Sequence, residues 1–130
     1  MFLIHNTAEQ APLLAAAAVS ACRLDVGWAS PLQPRLLELL FERLLGVQLD
    51  LEALATTTPQ QVVGVLREPM QRRELIELLV LLEMVCRPIP ASLQDSVDRW
   101  AAALAVDDRV LLLARDLTRE SQARATADFY

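Results

Sequence analysis

The chain predicts an all-α protein, a compact helical bundle of about five main helices with one or two short ones, on three observations. Leu and Ala dominate, Gly occurs three times and aromatics make up 5%. That bias favours helices, because Ala and Leu head the helix propensity scale while strands favour β-branched and aromatic residues. The apolar fraction is 54% in 130 residues, enough for one domain, 1–130, with a single core. Finally, Met70–Cys86 opens with polar Gln71, Arg72, Arg73 and Glu74 and then runs almost unbroken in apolar residues. Leu75, Ile76, Leu78, Leu79, Leu81, Leu82 and Val85 spread around a full helical wheel. A helix apolar on nearly all sides is surrounded by other elements, so this is the expected central helix.

The elements follow in order. Thr7-Ala8-Glu9-Gln10 is a capping-box pattern that starts a first helix reaching about Leu24, with a small face from Ala15 to Ala18. Arg23–Ser30 is a connector in which Gly27 is free to take a positive φ. Ser30-Pro31-Leu32-Gln33 offers a cap, a proline at the first helical position and a Gln at the third; the second helix stops at Gly46. Asp50 is expected to cap about one and a half turns stapled by Leu49 and Leu54, and Thr58-Pro59-Gln60-Gln61 opens a short helix to about Arg67. Pro69 opens the central helix, which ends before Pro88 and Pro90. Pro90 or Ser92 leads into a helix to about Ala105 carrying Leu93, Val97, Trp100, Ala101 and Leu104 on one face. Asp107 then caps a final helix with Leu111 on its apolar side.

Charge and composition exclude several function classes. A net charge of −5 and a pI near 4.8 oppose a phosphate-backbone binder, so no nucleic acid is expected, and oppose docking on anionic lipid. No apolar run reaches the ~20 residues of a membrane span, so no membrane insertion is expected. Every basic side chain is Arg, which allows bidentate pairing with carboxylates and removes lysine chemistry. Cys22 and Cys86 are too few for a disulfide framework or an ordinary zinc site and read as small buried residues in a reducing compartment. Pro12–Cys22 looks like a secretory apolar region ending in a lipoprotein-type Val-Ser-Ala-Cys, yet the first ten residues hold Glu9 and no Arg or Lys. The expectation is a cytoplasmic protein without a cofactor.

The two halves match at an offset of about 60, each reading as a long helix, a tight connector, a second helix and a following cap or staple. The pseudo-repeats cover about 8–47 and 69–106, joined by short helices over about 50–67, with the C-terminal helix at about 107–127. The first helix pairs with the central one, the connector Arg23–Ser30 with Glu83–Pro90, and Leu45-Gly46-Val47 with Leu104-Ala105-Val106. Over Ala11 to Leu117 this arrangement resembles the TerB-like family, named for tellurite-resistance proteins. Asp25, Gly27 and Ser30 echo the family's Asp-Gly-x-Val/Ile-Ser turn with altered spacing, while Cys86–Pro90 occupies the second turn and keeps only Ile89. The resemblance implies a helical interaction domain linked to stress response, and a divalent-cation site if the acidic residues were retained.

Candidate sites can be weighed against plainer readings. Glu83 points where the central helix is apolar, opposite Glu74 and Glu77, and a carboxylate there needs a partner. Arg23 holds the matching place in the first repeat, so an Arg23–Glu83 pair is expected; the plain alternative is that Glu83 reaches solvent. Asp25 with Glu38 or Glu42 is a weak candidate metal set, lacking the spaced ligands of a calcium loop. Asp95 and Asp98 read as solvated or paired with Arg99. His5 stands alone, and no nucleophile, acid–base pair or phosphate loop marks an enzyme. The expected task is non-enzymatic binding of another protein or self-association, through Trp28, Arg87 and Ile89 on the connector side or Phe129 and Tyr130 at the C-terminal end. Alternatives are an apolar-ligand or lipid-binding bundle and a weak divalent-metal binder.

Overall fold

The structure, a computed structural model, describes residues 5–25 and 27–128, with 120–128 described as helix backbone. Six α-helices lie among these residues: α1 (Ala11–Cys22), α2 (Leu32–Leu45), α3 (Pro59–Val65), α4 (Pro69–Met84), α5 (Ala91–Ala103) and α6 (Asp108–Asp128). The fold is a helical bundle, as the composition predicts. Its one departure is the connector, where β1 (Arg23–Leu24) and β2 (Gly27–Trp28) pair antiparallel, Arg23 opposite Trp28. Gly27 enters β2 with φ +101°, a conformation that suits only a residue lacking Cβ.

One device opens four of the helical segments. A Gln side-chain oxygen accepts the backbone N–H three residues earlier: Thr7 to Gln10 at 2.7 Å, Ser30 to Gln33 at 3.3 Å, Thr58 to Gln61 at 3.1 Å and Glu68 to Gln71 at 3.2 Å. Each bond satisfies a backbone donor that has no partner inside the helix. Thr7 starts a 3-10 turn, Ala8–Gln10, that runs straight into α1. The segment after Asp50 is shorter than expected, a single 3-10 turn at Leu51–Ala53 without a side-chain cap bond. Leu51 nonetheless reaches the core.

The core lies between α1 and α4, closed by α5, α6 and α2. Ala15, Ala17 and Ala18 are fully buried, and their small side chains let neighbouring helices come close along α1. Around α4, Leu75, Ile76, Leu78, Leu79, Val80 and Leu82 are all fully buried, which accounts for its apolar circumference. Two further bonds fasten α1: the Ser96 hydroxyl of α5 donates to the Ala21 carbonyl at 2.6 Å, and the Thr57 N–H, in the loop before α3, donates to Ser20 Oγ at 3.0 Å. No described helix is long and apolar enough to cross a membrane.

Candidate functional site

Two carboxylates on α4 are buried, and each is held by a different part of the chain. Glu83 is 0% exposed and lies in the last turn of α4. Arg115 of α6 reaches it in a fork, Nε to Oε1 at 2.9 Å and Nη2 to Oε2 at 2.9 Å. The remaining Arg115 nitrogen, Nη1, meets Asp98 of α5 at 2.8 Å. Bidentate guanidinium pairing supplies the hydrogen bonds a buried carboxylate needs. Burial alone would lower the Arg115 pKa, but the bonds and charge of Glu83, then Asp98, raise it, so the guanidinium stays charged.

This clamp corrects two expectations. The partner of Glu83 is Arg115 rather than Arg23, because α6 packs along α4 and brings Arg115 to its last turn, whereas Arg23 lies in β1 opposite Trp28. Asp98 pairs with Arg115 rather than Arg99, because α6 lies across α5 and brings the guanidinium to it. Arg115 carries a faint sequence signal, since it shares a stripe with Leu111, Ala114 and Thr118 at helical spacing. Beside the clamp sit the two thiols. Burial, then the Glu83 charge, then Cys86 push the Cys22 thiol far up; burial and Glu83 also raise Cys86. Both thiols are buried and free, and Cys86 Sγ donates to the Leu82 carbonyl at 3.8 Å.

Glu74, expected on the polar side of α4, is instead 3% exposed. The chain ahead of α1 folds over it. Its oxygens accept the His5 N–H at 2.8 Å, the Asn6 N–H at 3.1 Å and Asn6 Nδ2 at 2.9 Å, and His5 Nδ1 lies at 2.8 Å. His5 is therefore a partner of Glu74 rather than an isolated side chain. Asn6 and Gln71 complete the junction by bonding each other's segment through backbone carbonyls.

The connector side forms the third feature. Ala29, Ser30, Pro31, Leu32, Met84 and Arg87 line an open groove of about 580 Å3 between the start of α2 and the end of α4. Gln33 fixes this geometry from beneath. Fully buried, it accepts the Ala29 N–H at 3.1 Å and the Ser30 N–H at 3.3 Å, and its Nε2 donates to the Leu82 carbonyl at 2.9 Å. Leu32 is exposed on the rim, whereas Trp28 and Ile89 are partly buried and pack against the core. Phe129 and Tyr130 lie outside the described residues.

Asp25, Glu38 and Glu42 are exposed, and no group of three His, Cys, Asp or Glu side chains suited to a metal exists among the described residues. Glu38 and Glu42 border a surface hollow of about 220 Å3 with Gln48 and Leu49, and Asp25 is not part of it. A shallow depression of about 160 Å3 follows the α4–α6 seam beside Leu81, Leu113 and Leu117. The buried carboxylates Glu74 and Glu83 are both held by hydrogen bonds, and the thiols of Cys22 and Cys86 are free. No protein-family model matches the chain, and comparison with curated proteins and with solved structures likewise returns no match.

Proposed function

We propose that the chain is a non-enzymatic protein-interaction module, a divergent TerB-like domain whose two helical hairpins, α1–α2 and α4–α5, are pseudo-repeats. The observation that carries this reading is the connector-side groove, an open surface with exposed apolar Leu32 and cationic Arg87 on its rim. An apolar anchor beside a charge is the usual composition of a protein contact. Gln33 supports the reading further, because it holds the groove in shape before any partner arrives, which lowers the ordering cost of binding.

Crosslinking capture from the native host tests the proposal, comparing the wild type with Leu32→Asp and Leu39→Asp. Leu39 is also exposed but does not line the groove, so it serves as the control. Loss of a specific partner with Leu32→Asp and its retention with Leu39→Asp is the expected result. Capture that is identical for all three chains, or absent from all three, overturns the assignment.

A further inference from the structure

Two helices in this protein end on a residue with positive φ, with different hydrogen-bond patterns, and at one of them that residue is not glycine. At the end of α2 the chain reverses through Gly46, φ +66°, with Gly46 N–H donating to the Glu42 carbonyl and Val47 N–H to the Phe41 carbonyl, both at 3.1 Å. At the end of α5 the chain reverses through Ala105, φ +57°, with Ala105 N–H donating to the Ala102 carbonyl at 3.1 Å and Val106 N–H to the Ala101 carbonyl at 2.9 Å. Glycine adopts this left-handed cap freely; alanine does so under strain, because its Cβ crowds the following carbonyl. Among the described residues, Ala105 is the one non-glycine with positive φ.

That strained residue is the hinge on which α6 folds back over α4. From Ala101 to Leu113 the sequence AAALAVDDRVLLL holds neither Gly nor Pro, so the same segment can continue as a single helix once Ala105 relaxes to right-handed dihedrals. The arm lies along α4, with Leu111 in the core and Ala114 packed against it. Of its described side chains only Leu111 is fully in the core, while Leu112, Leu113 and Leu117 are exposed. The specific hold is ionic: Arg115 in the fork of Glu83 with Asp98 alongside. If α6 swings away, the seat left on α4 and α5 contains a buried carboxylate with no cation, and an identical α6 restores every contact.

We propose that α6 is an exchangeable arm, with Ala105 as its hinge, and that in a reciprocal dimer each copy's Arg115 enters the Glu83–Asp98 seat of the other. The occupant is a second copy of this chain because that copy alone repeats both the apolar knob at Leu111 and the guanidinium at its required register. Strained short hinges favour such exchange, since opening relieves the strain in both copies while the seat contacts are conserved. This inference is independent of the connector groove.

Charge-swap complementation of the full chain tests it. Glu83→Arg and Arg115→Glu each place like charges in their own seat, whereas a reciprocal heterodimer pairs opposite charges in one seat and restores the native pair in the other. Co-refolding the two variants is expected to give a one-to-one heterodimer by size-exclusion with light scattering. Hinge variants give a second readout that leaves the seat untouched. Ala105→Gly should lower the dimer association constant by about tenfold or more, because it removes strain from the closed form, and Ala105→Val should raise it. A co-refolded mixture that yields no heterodimer overturns the proposal. So does an Ala105→Val dimer that persists when both copies also carry Arg115→Glu.

Discussion

Glu74 and Glu83 are two carboxylates on one helix, both removed from water, and they are neutralised in different ways. Glu83 has a full counter-charge, a guanidinium that grips both of its oxygens. Among the described residues, Glu74 accepts from the backbone N–H groups of His5 and Asn6 and from the Asn6 amide, with the His5 ring beside them. One joins three helices through side chains; the other holds down a chain segment through its backbone. A helix in the middle of a bundle can therefore carry charge at both ends, provided that each charge is met by a different kind of partner.

The largest contrast should come from breaking the ionic end. Arg115→Ala leaves Glu83 buried and uncompensated and should cost about 3–5 kcal/mol in urea unfolding, while a Glu83→Leu, Arg115→Met double replacement should recover most of that loss. If the double variant is as unstable as the single one, the clamp is not an isolated charge pair. At the other end Glu74→Gln keeps an acceptor but loses charge and half of its accepting capacity, so about 1–3 kcal/mol is expected. Its distinguishing mark is local: amide exchange should speed up at residues 5–10 far more than in α6.

Alkaline pH separates the two ends again. The folded-state pKa of Cys22 is raised above its ordinary 9.0, so the native state holds a proton that the unfolded chain releases. The associated stability is fully present below about pH 9 and declines above it, by up to about 1.4 kcal/mol per pH unit for one thiol. Denaturant titrations at rising pH should show that decline, and Cys22→Ala should flatten it. A slope unchanged in Cys22→Ala would place its origin elsewhere. The smallest effect is His5→Ala, which keeps the His5 N–H bond to Glu74 and removes only a half-exposed ring; about 0.5–1 kcal/mol is expected from thermal melts.

The helices were largely legible from local signals. Thr7, Thr58, Pro59, Pro69 and Gly46 stand where capping chemistry places them, because those signals act within four residues of themselves. Glu83 was also legible as an anomaly, since the wheel of α4 fixes which side it faces. Its partner was not. Arg115 belongs to a helix 32 residues further on, and no local pattern states over which neighbour that helix returns. Glu74 was misread for the same kind of reason: beside Arg72, Arg73 and Glu77 it resembles a solvated first turn, and the segment that covers it carries no periodicity at all. Gln33 looked like a cap and is one, but its amide also crosses to α4, a second role invisible from spacing.

That second role gives Gln33 a mechanical meaning. One side chain ties the loop at Ala29 and Ser30 and the first turn of α2 to the Leu82 carbonyl, one residue before Glu83. Leu82 O also accepts from Cys86, so the tie ends on the same turn that carries the clamp's carboxylate. Removing this one side chain would strip two connector N–H groups of their acceptor and the last turns of α4 of a donor at the same time.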